Sequence, residues 1–161
     1  MAKTSIKTKT RAHRTASRKS TARRKAQAKP STARRPKQRF VVSHHCEQDF
    51  DAGLRRYAKY RDLGIADATN GLVRAHVIRF VPPCDPKEVS KRHYHDVDFQ
   101  MVYVLKGWIK TELEGQGAIV MKAGSAWIQP PRIEHVVLDY SDDCEVLEIV
   151  LPADFETVEL T

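Results

Sequence analysis

The chain has 161 residues and a net charge of +8. That length predicts one domain with an appended segment, and 41% hydrophobic content suffices for one modest core. No apolar run is long enough to cross a bilayer and none follows the basic N-terminus, which excludes a membrane-spanning or classically secreted protein and points to the cytoplasm. The charge is unevenly placed: residues 1–40 hold 15 Lys/Arg and no Asp or Glu, whereas residues 41–161 hold 13 Lys/Arg and all 20 Asp/Glu, a net −7.

Residues 1–39 are nearly all Lys, Arg, Ala, Ser and Thr, with Ile6 as the one large aliphatic after Met1. So little apolar surface cannot offset the entropy of ordering, and the segment is predicted to be a disordered basic tail on a domain spanning 40–161. Three readings of it stay open. It would bind nucleic acid without sequence preference through counterion release, act as an organelle-targeting segment, or be a solvated extension upstream of the true start. No helix-turn-helix pattern accompanies it.

Along the domain, His44-His45-Cys46 reads as linker or first-strand sequence. Phe50–Leu63 carries apolar residues at 50, 54, 57 and 60, a helix-like spacing that would cover one end of a barrel, with Gly64 stopping it. From Leu72 the pattern changes to short β-branched and aromatic runs broken by turn residues. Strands are predicted at Leu72–Val81, Lys91–His95, Phe99–Leu105, Trp108–Leu113, Gln116–Met121, Ser125–Gln129, Glu134–Tyr140 and Cys144–Leu151. Gly107, Gly115 and Gly124 mark turns between them, and Pro82-Pro83 and Pro130-Pro131 close strands. Eight strands in so short a stretch leave no room for crossover helices, so an all-β antiparallel barrel or jelly roll is expected. Cys46, Cys84 and Cys144 are odd in number and lack a CxxC pair, which predicts free thiols in a reducing compartment.

The sharpest signal is His93-Tyr94-His95, followed by Gln100. Residues i and i+2 of a strand share a face, so both imidazoles can meet one cation inside a barrel while Tyr94 points away. His135, beyond the Pro130-Pro131 turn, supplies a third nitrogen, and three imidazoles suit a first-row transition metal: Fe, Mn, Ni, Cu or Zn. Glu134 faces away from that side by parity, and Asp139 shares the parity of His135. Tyr103, Trp127, Gln129 and Glu148 would reach the pocket only in particular registers, and each reads more simply as a solvated or packing residue. His76 reads as a packed residue within a strand.

At these positions the chain resembles the cupin superfamily. Its first motif, G-x5-H-x-H-x3–4-E-x6-G, is met by His93, His95 and Gly107, with Gln100 in place of Glu and Lys87 in place of the first Gly. Its second, G-x5-P-x-G-x2-H-x3-N, is met by Gly124, Pro130 and His135, with Arg132 at the second Gly and Asp139 at the Asn. Sixteen residues lie between Gly107 and Gly124, as in compact single-domain cupins.

The resemblance implies a double-stranded β-helix and a divalent metal held by His93, His95 and His135, with Gln100 as a neutral fourth ligand or a supporting group. An amide in place of a carboxylate leaves the ion's charge uncompensated and removes a proton acceptor. The resemblance also implies a metal-dependent enzyme, dioxygenase- or isomerase-like. A three-His(Gln) site leans towards an oxygenase acting on a small organic acid or phenolic compound. The alternative is a non-catalytic small-molecule sensor anchored to nucleic acid by the basic tail, and a third reading makes the ion structural. Cupins commonly pair through N-terminal strands, so Phe40-Val41-Val42 is expected to form an edge strand of a homodimer.

Overall fold

The computed structural model describes residues 37–53 and 55–160. All but three residues of the segment expected to be disordered therefore lie outside the described residues. Among those described, no helix is long and apolar enough to cross a membrane.

Eleven strands form two antiparallel sheets. They are β1 (Asp51–Ala52), β2 (Ala58–Asp62), β3 (Arg74–Phe80), β4 (His93–Asp96), β5 (Phe99–Lys106), β6 (Trp108–Leu113), β7 (Gly117–Lys122), β8 (Ala126–Ile128), β9 (His135–Tyr140), β10 (Glu145–Leu151) and β11 (Glu156–Glu159). The first sheet has the order β1-β2-β3-β10-β5-β8 and the second β11-β4-β9-β6-β7. Neighbours that are distant in sequence, such as β3 beside β10 and β4 beside β9, give the crossovers of a jelly roll, the all-β class expected. Two short helices, α1 (Ile65–Ala68) and α2 (Pro86–Val89), punctuate the loops.

Alternation decides what faces inward. On β6, Ile109, Thr111 and Leu113 are buried between more exposed neighbours. On β3, Phe80 and Ile78 share a face with His76 and Arg74, which brings two polar residues to the inside. Phe80, Val102, Val104, Ile109, Met121 and Tyr140 join one apolar cluster. Tyr140 packs against Phe80 with ring centroids 4.7 Å apart and planes tilted by 40°, and its hydroxyl donates to the Val81 carbonyl at 2.8 Å, which satisfies the one polar atom the ring buries.

Three expectations are corrected here. Phe50–Leu63 is no helix: it forms the β1–β2 hairpin, and β2 pairs along β3 from Ala58↔Phe80 to Asp62↔His76. The free edge of β3 offers a full row of backbone partners, which outweighs a four-residue apolar periodicity. Phe50 meets guanidinium groups rather than a helix partner, with Arg79 at 3.9 Å over its ring. The stop assigned to Gly64 is instead the N-terminal boundary of α1, at φ 70°. Phe40-Val41-Val42 forms no edge strand, and Phe40 stands 94% exposed.

The turn between β5 and β6 depends on Gly107, whose φ is +65° and whose missing Cβ would lie 2.1 Å from Ser141 Oγ and 3.1 Å from the Cys144 Cα. Gly115 has a similar φ of +72° with open space around it. Gly115→Ala is expected to cost about 1 kcal/mol, the left-handed penalty alone, and Gly107→Ala more than twice that because backbone must also move. Thermal melts of the two variants check the order.

Candidate metal centre

The three histidines converge because two strands pair in register. β4 meets β9 at His93↔His135, and His95, two residues on, shares the face of His93. Ring centroids lie 4.3 Å apart for His93 and His135, 5.1 Å for His93 and His95, and 5.1 Å for His95 and His135. One ring nitrogen from each falls within 4.8 Å of the others, a group that could hold a metal ion.

Each ring is held by its Nδ1. That of His93 donates to the Lys91 carbonyl at 2.8 Å and that of His135 to the Ile133 carbonyl at 3.0 Å, while that of His95 bonds Thr157 Oγ1 at 2.9 Å. A carbonyl only accepts, so Nδ1 of His93 and His135 carries the proton and Nε2 keeps its lone pair, the form a metal requires. Thr157 sits on β11, opposite His95, a strand the sequence pattern does not announce. Burial is the main cause pushing all three imidazoles down from their usual pKa, to about 4 for His95 and for His135. At neutral pH the cluster is three neutral nitrogen donors, which fits a divalent transition metal.

The second motif is carried by its backbone. Arg132 takes φ +62° where the cupin pattern has glycine, and its N–H donates to the His95 carbonyl at 3.1 Å, tying the turn before β9 to β4. Gln129 follows β8 and lies against the cluster. Its Oε1 accepts from Trp127 Nε1 at 3.2 Å, which orients Nε2 to donate to His135 Nε2 at 3.0 Å. An ion reaching His135 displaces that hydrogen bond.

Gln100, the expected fourth ligand, is 2% exposed on the inner face of β5. Its Nε2 donates to Glu148 Oε1 at 2.6 Å, and His76 Nε2 lies 2.6 Å from Glu148 Oε2. Glu148 is on β10 between the strands of its two partners, opposite His76 on β3 and next to β5. Burial alone would push its carboxyl up, but the hydrogen bond and charge of His76, with the neighbouring His95 and the Gln100 amide, hold it below the usual value. The carboxylate absent at 100 thus stands at 148. A Glu at both places would set two carboxylates at hydrogen-bond distance, so the amide at 100 follows from the acid at 148.

A cavity of about 540 Å³ lies between the sheets, with the three histidines on one wall and His76 and Glu148 on the other. His76 is therefore part of the cavity wall and not a residue packed away from it. Trp127 and Gln129 also line the cavity, whereas Tyr103 does not. Asp139 is excluded as well, against the parity reading. β9 pairs Asp139 with Lys110 and Val137 with Thr111, leaving Leu138 as an extra residue. This bulge reverses the alternation, so Tyr140 enters the core and Asp139 is exposed. Tyr94 lies off the site, with Arg132 5.6 Å over its ring.

Two outcomes are expected of the metal-free protein. Gln100→Glu costs about 2–3 kcal/mol at neutral pH, and adding Glu148→Gln in the same chain restores most of it, as melts of the single and double variants would show. Below about pH 6.5 the unfolded chain protonates histidines that the fold keeps neutral until about pH 4. Stability should therefore fall as pH drops across that window, and His135→Asn should make the decline shallower.

Residues 84–150 match the family profile of the cupin domain. KdgF from a Halomonas species shares the fold with a TM-score of 0.54 and 21% identity, over 68% of this chain and 94% of its own. The polyketide cyclase RemF from Streptomyces resistomycificus gives 0.57 and 17%, over 75% and 87%. An oxalate decarboxylase from Bacillus subtilis, described with Mn(II) centres, gives 0.54 and 16%, over 71% of this chain but 30% of its own. No curated protein matches the chain by sequence. The profile spans the two histidine motifs and the crossovers of the jelly roll hold them together, so residues 84–150 are similar to the cupin domain in sequence and the chain shares its fold with these proteins.

Proposed function

We propose that this protein is a small-molecule metalloenzyme whose divalent transition-metal ion is held by His93, His95 and His135. The observation that carries this reading is the set of three neutral imidazoles, each fixed through Nδ1, beside a cavity large enough for a substrate. Gln100 completes the proposed ligand set. Its amide nitrogen is committed to Glu148, so Oε1 is the atom left for an ion, and donation to a carboxylate enriches that oxygen in negative charge.

A bound ion would polarise substrate oxygen or present O₂, the chemistry of a dioxygenase or an isomerase. The chain's own residues prepare for it. Glu148 stays ionised on the cavity wall, hydrogen-bonded to Gln100, and supplies the negative charge that three histidines lack. A carboxyl whose pKa is lowered is a weak base, so its part is charge compensation rather than proton abstraction. Phe80, Val102 and Ile109 belong to both the core and the cavity lining, giving substrate an apolar floor.

In this reading residues 40–161 work as the domain, in the cytoplasm and as a homodimer, and residues 1–39 form an appended basic tail. The alternative is a non-catalytic sensor barrel held to nucleic acid by that tail, favoured by its uncompensated positive charge. Protein purified from its native host is expected to carry about one transition-metal ion per chain. His135→Ala is expected to lose it, with affinity lower by at least about a hundredfold. Turnover or O₂ uptake that disappears with the ion supports the enzyme; a chain that binds none of Fe, Mn, Ni, Cu and Zn refutes the metal reading.

A further inference from the structure

Among the described residues, four buried side-chain polar atoms have no hydrogen-bond partner, and three of them belong to residues lining this one cavity: Arg55 Nη2, Arg74 Nε and Thr111 Oγ1. Native interiors leave few such atoms, and each one left costs free energy. Their concentration around an open chamber marks it as the place where the missing partner belongs.

Two of the three residues carry guanidinium groups, Arg74 on the sheet facing the histidines and Arg55 reaching β11, the strand beside His93. Arg55, in the loop between β1 and β2, has a side chain only 10% exposed. Its Nη1 pairs with Glu159, which leaves Nη2 unpaired. Arg74 opens β3 two residues before His76 and has no ion pair among the described residues. Its guanidinium lies 5.9 Å over the Phe155 ring, and that ring stands edge-on to His95 at 5.4 Å. The buried acid of the chamber, Glu148, turns one oxygen to His76 and the other to Gln100 and makes no ion pair with Arg74. Asp51 and Asp62 also line the cavity but are exposed, and Asp62 accepts from the Gly64 N–H at 2.7 Å. The cavity lining therefore has guanidinium donors, Arg55 Nη2 and Arg74 Nε, to spare.

We propose that the cavity takes a small organic acid whose carboxylate is received by Arg55 and Arg74, with the rest of the molecule lying towards the histidines. Planar N–H groups match a carboxylate in geometry and charge, and the arginines would hold a substrate by the end that does not react. This rests on the reading of the cavity as a substrate chamber and adds the chemical class that enters it.

The test uses the full-length, metal-free protein and small carboxylates from acetate to benzoate, each beside its primary amide, with inorganic phosphate as the competing anion. Calorimetry and thermal shift are expected to show acids binding more tightly than their amides. Arg74→Gln and Arg55→Gln should each weaken the acids by roughly ten- to a hundredfold and leave the amides unchanged, while Arg74→Lys retains part of the preference. Circular dichroism checks the fold, and Arg74→Gln alone decides if Arg55→Gln does not fold. The proposal is overturned if no acid binds at millimolar concentration, if acids and amides bind alike, if the Gln variants bind as the parent does, or if phosphate outcompetes the carboxylates. His135→Ala should keep the acid preference. A preference that appears only in metal-loaded protein and vanishes in His135→Ala would mean that the ion, not the arginines, holds the carboxylate, which overturns this assignment and leaves the metal site standing.

Discussion

A barrel that places polar side chains in its interior must give each polar atom a partner, and in this protein that requirement runs as a chain of hydrogen bonds through the site. His76 and Gln100 both hold Glu148. The Gln129 N–H donates to the Gln100 carbonyl at 3.0 Å, and the Gln129 side chain then spans Trp127 and His135. Side chains thereby connect β3, β10 and β5 on one side and Trp127 of β8 to His135 of β9 on the other, with the Gln129–Gln100 backbone bond between them. His93 and His135 are positioned from outside by carbonyls, which can only accept, and His95 by the Thr157 hydroxyl, so the site is organised before any ion arrives.

The same requirement explains the composition of the site. A carboxylate at position 148, on the strand between β3 and β5, can reach partners on both sides. Placed at 100 it would have competed with its neighbour for the same donors. Negative charge is therefore held on the wall opposite the histidines, hydrogen-bonded to the Gln100 amide. The arginines that line the cavity, Arg55 and Arg74, keep donors that Glu148 does not meet.

Much of this was legible in the chain. His93, His95 and His135 were readable because strand parity and turn residues are local properties, and the eight strands from Leu72 onward occur within a residue or two of their expected limits. What was not readable depends on partners distant in sequence. The helical spacing of Phe50–Leu63 yields to the open edge of β3, and β11 is short and of mixed polarity, so its pairing with β4 has no local signature. His76 and Glu148 are 72 residues apart, and their meeting follows from the register of β3 and β10. The alternation of Arg74, His76, Ile78 and Phe80 held a clue, since the phenylalanine and the histidine share a face, but both faces of β3 are largely apolar and the period alone could not choose between them.

The bulge at Leu138 divides β9 into two halves with different duties. Before it, His135 and Val137 look into the chamber; after it, Tyr140 closes the apolar core. A strand of strict alternation would oblige both ends to share one parity, so any change of register made to suit the chemistry would turn the core residue outward. With one unpaired residue between them, the two ends are uncoupled, and the chamber is free to change its side chains over evolutionary time without asking the foundation to move.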